Sequence, residues 1–139
     1  MEKKAKLEKY LAEILLFNPA YGLVSGNGKQ KITVRHILDS LAPWQHIARE
    51  AASLTPSGFC GVTIADIGTG AGFPGIPLVI AMDNCRFLLV EKMGRRVSFL
   101  QNAKAVLRLE NIAILESEVE KAAKNGTRSS LAMCGAFPK

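Results

Sequence analysis

Asp66, Gly68, Gly70 and Gly72 stand at every second position in ADIGTGAGFPGIPL, residues 65–78. Glycines at this spacing let the chain turn sharply and let a ligand approach bare backbone. The preceding run VTIADIG (62–68) is β-branched and reads as a buried strand. The following run GIPLVIAM (75–82) reads as a helix. A loop in that place presents free N–H groups and the positive end of a helix dipole. Position therefore marks a nucleotide or cofactor site, although tight βα connections also use such glycines.

Two cofactors fit the pattern. Gly70, Gly72 and Gly75 match the G-x-G-x-x-G dinucleotide pattern, but Gly70 lies deep in the loop and Pro74 interrupts it. Asp66-x-Gly68-x-Gly70-x-Gly72 looks like the first motif of Rossmann-like S-adenosylmethionine-dependent methyltransferases. That cofactor has a sulfonium and an amino-acid tail but no pyrophosphate, so a nearby acid is useful. Asp66 would serve the tail by charge and hydrogen bonds, partly through water. Glu91 ends the strand RFLLVE (86–91), 19 residues after Gly72. An acid there can accept both ribose hydroxyls of an adenosine, which both cofactors contain. The plainer reading of Glu91 is an exposed strand end paired with Lys92 or Arg95.

The elements that position this loop follow from periodicity. Leu7, Leu11, Ile14, Leu15 and Phe17 predict a helix over 3–17, stopped by Pro19 and Gly22. SGNGKQK (25–31) reads as a polar loop, and helices are expected over 32–41 and 44–54. Trp44, the lone tryptophan, is expected in the core. Beyond TPSG (55–58), strands are expected over 62–68, 86–91, 111–117 and 130–137, with helices over 75–82, 93–109 and 118–126 between them. On the longest, Val97, Leu100, Ala103 and Leu107 line one face. Alternation of this kind predicts an α/β fold with parallel strands and crossover helices. The expected layout is an N-terminal helical segment (1–57) and a cofactor-binding part (58–139) within one structural domain. A fourth strand at an apolar edge is unusual, which suggests a missing C-terminal part.

Composition bounds the function. The chain has 139 residues, 48% hydrophobic and 22% charged, enough for one cored domain. A net charge of +6 suits a polyanion such as RNA without requiring one. Cys60, Cys85 and Cys134 form no CxxC pair, and with only His36 and His46 beside them no metal site is expected. No apolar run reaches the ~20 residues of a membrane span.

VRHILDSLAP (34–43), the glycine segment, GRRVSFL (94–100) and LENIAILESEVE (109–120) together resemble the bacterial small-subunit rRNA methyltransferase G family. NPAYGLVS (18–25) is similar to its short aromatic motif. The likeness runs from about residue 7 to 120 and fades over GTRSSLAMCGAFPK. It implies a Rossmann-like methyltransferase fold with N-terminal helices and an incomplete sheet of about four strands. It also implies a cytoplasmic, monomeric enzyme that uses S-adenosylmethionine to methylate guanine N7 in 16S rRNA of the small ribosomal subunit or its precursor. By the resemblance, Gly68 and Phe73 meet the cofactor in the loop. Val119 and Glu120 meet the adenine. Arg95 and Arg96 face RNA, and Arg35, His36 and Asp39 lie near the cofactor mouth. No catalytic base is nominated, because N7 carries a lone pair and no proton. Catalysis would rest on alignment. For His36 and Asp39, local helix contacts are the alternative; for Arg95 and Arg96 it is a solvated face. Two departures remove positive charge: Glu118 replaces a usual basic residue, and Gly135 an arginine. The alternatives are a non-catalytic module binding an adenosine cofactor or RNA, and a small NAD-binding oxidoreductase.

Overall fold

In the computed structural model, residues 2–25, 28–54, 62–124 and 131–134 are described. Three helices lead: α1 (Lys3–Tyr21), α2 (Lys29–Leu41) and α3 (Trp44–Ser53). Strands and helices then alternate as β1 (Thr63–Ile67), α4 (Gly75–Ala81), β2 (Arg86–Glu91), α5 (Gly94–Val106), β3 (Ile112–Glu116), α6 (Val119–Lys124) and β4 (Leu131–Cys134).

All strand pairs are parallel, in the order β3-β2-β1-β4. Ile64 lies level with Phe87 and Ile112, and Asp66 with Leu89 and Ile114. These residues share one face, over which α4, α5 and the leading helices pack. There Ile64, Phe87 and Leu89 are buried with Tyr10, Ile14, Phe99 and Leu100. Each such side chain stabilises the fold by roughly 1.5–3 kcal/mol. The opposite face is more open: Leu88 is half-buried and Ala113 exposed, with α6 meeting β2 on the described chain.

Several boundaries differ from expectation. α1 runs on to Tyr21 instead of ending at residue 17, carrying Pro19 inside its last turn. Three contacts offset the proline there. The Phe17 and Tyr21 rings stack at 5.5 Å, Asn18 Oδ1 accepts the Val24 N–H at 2.7 Å, and left-handed Gly22 donates its N–H to the Asn18 carbonyl. α2 starts three residues early, its first turn closed by the Ile32 N–H on the carbonyl of left-handed Gly28, so Lys29, Gln30 and Lys31 belong to the helix rather than to a loop. Trp44 is not core. It opens α3 at 45% exposure, while Ile47 and Ala51 take that helix's buried positions. The segment 55–58 and the ends of the last expected strand lie outside the described residues.

Candidate cofactor-binding site

The C-terminal ends of β1, β2 and β3 open on one edge of the sheet, where α/β folds bind ligands. The loop after β1 is anchored first by the sheet. Gly68 and Thr69 both donate their N–H groups to the Val90 carbonyl, at 2.9 and 3.1 Å. Gly68, Gly70 and Gly72 then adopt positive φ angles of 73°, 62° and 102°. A side chain at any of them would be strained, and above Gly68 the space is open. Gly72 and Phe73 donate back to the Thr69 carbonyl, and Ile76 to the Gly72 carbonyl, which starts α4.

Asp66 braces this loop from inside. It is fully buried, and its Oδ2 accepts the Thr69 hydroxyl at 2.7 Å and the Gly75 N–H at 2.9 Å. Its Oδ1 is buried with no hydrogen-bond partner among the described atoms. Burial pushes the carboxyl up to about 6, against the bonds from Thr69 and Gly75, and Glu91 adds to the rise. Gly75 has no room for more: a Cβ there would meet Leu89 Cδ2 at 2.5 Å and Asp66 Oδ2 at 2.6 Å.

Glu91 is buried at the end of β2, not exposed. Its Oε2 accepts the Gly70 N–H at 2.8 Å, and its Oε1 accepts the N–H groups of Lys92 and Met93. Oε1 is thereby filled, while Oε2 keeps a further lone pair for a ligand hydroxyl. The cation beside it is Arg96, with Nη1 at 4.0 Å from Oε2. The structure therefore separates the two arginines. Arg96 is half-buried against the loop, and Arg95 is exposed. Val119 and Glu120 are exposed at the start of α6, beyond the end of β3. Glu118 pairs on the surface with Lys121.

On α2, Arg35 and Asp39 are exposed and pair with each other at 3.8 Å. His36 turns inward, its ring 5.4 Å from that of Phe73. Phe73 in turn lies 5.6 Å from Tyr10 of α1. Tyr10 and Thr69 are the loop-bracing residues that the sequence reasoning missed. Asp66-x-x-Thr69 is a local side-chain pairing pattern that could have exposed Thr69. Tyr10 follows helical spacing with Ile14, but periodicity marks only burial.

An open groove of about 640 Å³ lies elsewhere, among Thr63, Arg86, Leu88, Ile112 and Ala113. It borders the N-terminal ends of the strands, away from the glycine loop, and Asp83, Asn84, Glu110 and Asn111 also line it. Among the described residues no cluster of three or more metal-ligating side chains occurs, and no helix is long and apolar enough to cross a membrane.

This parallel sheet with a glycine loop after β1 defines a Rossmann-like fold. The C-terminal domain of precorrin-6Y C5,15-methyltransferase from Rhodobacter capsulatus shares the fold, with a TM-score of 0.53 at 16% identity over 87% of this chain and 56% of that one. The family model for rRNA small subunit methyltransferase G matches residues 3–139, so the chain belongs to that family. The match extends past residue 120, where the visible motifs fade. A ribosomal RNA small subunit methyltransferase G from Treponema denticola is 38% identical, over 94% of this chain and 59% of its own length. One from Enterobacter sp. is 36% identical, over 85% of this chain and 51% of its own. The chain thus spans between half and three-fifths of these relatives.

Proposed function

We propose that this chain carries the S-adenosylmethionine site of a 16S rRNA guanine-N7 methyltransferase. The observation that carries the reading is the bond from Gly70 to Glu91, which sets three left-handed glycines beside a buried strand-end acid. Family membership supports the RNA substrate.

The residues fit the cofactor. Open space over Gly68 admits a ligand to bare backbone. The remaining lone pair on Glu91 Oε2 suits a ribose hydroxyl. The unpartnered Oδ1 of Asp66 is an acceptor without a donor, as a nearby ammonium or its water would require. Val119 offers an apolar surface for an adenine, next to Glu120. When bound, S-adenosylmethionine supplies an electrophilic methyl group that a ring-nitrogen lone pair can take without a base.

The chain's own task is then to hold and align. Gly68, Gly70, Gly72 and Phe73 shape the loop, Glu91 fixes the sugar, and Asp66 stiffens the turn. Exposed Arg35 and Arg95 are placed to meet RNA phosphates, with Asp39 orienting Arg35. His36 acts from behind Phe73. The setting is the cytoplasm, where the small subunit is assembled, and the protein works as a monomer.

A second reading, a non-catalytic module that binds an adenosine cofactor without transferring its methyl group, draws on the same loop and Glu91 geometry. Calorimetry with S-adenosylhomocysteine, with NAD as control, tests the shared part. Transfer of labelled methyl to 16S rRNA separates the two readings. Binding of NAD in place of S-adenosylhomocysteine would defeat both.

A further inference from the structure

Helix α1 belongs to the N-terminal segment, yet one of its side chains ends inside the glycine loop. Tyr10 is fully buried, and its hydroxyl donates to the Ala71 carbonyl at 2.7 Å. The two residues are 61 apart in sequence. The hydroxyl also lies 2.9 Å from where a Cβ on Gly72 would be, so with the Ile76 side chain at 2.6 Å it occupies the space that the missing side chain leaves. The peptide unit between Ala71 and Gly72 is thereby fixed from both sides. Its carbonyl accepts from Tyr10, and its N–H donates to the Thr69 carbonyl at 3.0 Å. The Tyr10 ring then packs on Phe73, whose other neighbour is His36 of α2.

From this geometry we infer that Tyr10 is a positioning residue for the cofactor, acting through the Ala71 carbonyl to hold the Gly70–Phe73 backbone in its ligand-binding shape. A phenylalanine would fill the same core volume and make the same ring contact. The hydroxyl adds only one thing, an orientation for a loop peptide. Burial raises the phenol well above its ordinary value, with Asp66 adding to the rise, so the group remains a donor throughout the working pH range. The inference rests on the cofactor reading of the loop and extends it to an element outside the strand–loop–helix unit.

The test compares Tyr10→Phe with Ile14→Val, a loosening of the same buried face one turn along α1 that touches no loop atom named here. Three quantities are read: urea stability, amide exchange across residues 68–73, and S-adenosylhomocysteine affinity. Tyr10→Phe should quicken exchange at Gly72 and Phe73 relative to β1 and β2, and raise the dissociation constant roughly three- to tenfold. Ile14→Val should lower stability and leave both other readouts alone. Equal effects of the two variants on loop exchange and affinity would overturn the inference, as would a Tyr10→Phe protein with unchanged loop exchange. If Tyr10→Phe does not fold, an Ile14→Val protein that keeps both loop exchange and affinity supports the inference, and one that loses them overturns it. Wild-type protein that binds no S-adenosylhomocysteine would defeat the proposed function. Loop exchange in Tyr10→Phe would then decide the role of the hydroxyl alone.

Discussion

Glu91 accepts the N–H of Gly70 at 2.8 Å, joining the end of β2 to the loop that leaves β1. The carboxylate is buried and also gathers the N–H groups of Lys92 and Met93. One side chain thus closes the loop and, in the proposed function, also accepts the ligand.

Replacing that side chain should damage both. Glu91→Ala leaves three N–H groups without their acceptor and removes the proposed ribose contact. Charge-assisted hydrogen bonds of this kind contribute about 1.5–3 kcal/mol each. Affinity for S-adenosylhomocysteine should therefore fall about tenfold or more, with a lower melting temperature. Glu91→Gln, which keeps one acceptor oxygen, should fall between Ala and wild type in both calorimetry and thermal unfolding.

Two glycines of one loop should fail in different ways. Gly75→Ala drives a Cβ into Leu89 and Asp66 and should cost about 1–3 kcal/mol of stability. Gly68→Ala meets open space but needs a left-handed backbone, at about 1 kcal/mol. Urea denaturation should rank Gly75→Ala as the less stable protein. Ligand titration should show a clear loss of affinity in Gly68→Ala even where it is fully folded.

Asp66 makes stability depend on pH. Its folded carboxyl titrates at about 6, above the ordinary value of 3.8, so the folded state holds that proton more tightly than the unfolded chain. The contribution is fully present below pH 3.8 and lost as pH rises through about 6. A shift of this size corresponds to at most about 3 kcal/mol. Asp66→Asn should flatten that slope. The wild-type minus variant difference in urea midpoint, measured from pH 4 to 7, should decline with rising pH and then level off.

Arg95 and Arg96 should separate by assay. Arg95→Ala should weaken binding to a 16S rRNA fragment and lower the salt-dependence slope by about 1. Arg96→Ala, taken from beside Glu91 and Gly70, should chiefly change affinity for S-adenosylhomocysteine. Equal RNA losses in the two variants would place both arginines on the RNA face.

The strand and helix order was legible because β-branched runs and helical periods alternate cleanly from Thr63 onward. The glycine loop was legible because glycine is the residue that takes the left-handed turns at 68, 70 and 72 without strain. What escaped was set by tertiary packing. α1 passes Pro19 because Phe17, Asn18 and Gly22 hold its last turn. Arg96 turns inward because Glu91 is buried beside it, whereas adjacent spelling made Arg95 and Arg96 look equivalent. Tyr10 escaped because its partner is a backbone carbonyl in a distant loop, and no residue type encodes that.

The long reach from Tyr10 to Ala71 also sets an order of events for the growing chain. α1 leaves the ribosome well before β1 and the loop exist, and its buried face then has nothing to close on. The 61-residue separation makes this a non-local contact, which forms only after the intervening chain has collapsed. A finished glycine loop therefore reports that α1 has docked, so ligand competence should be gained only after that docking and be among the first properties lost when α1 frays.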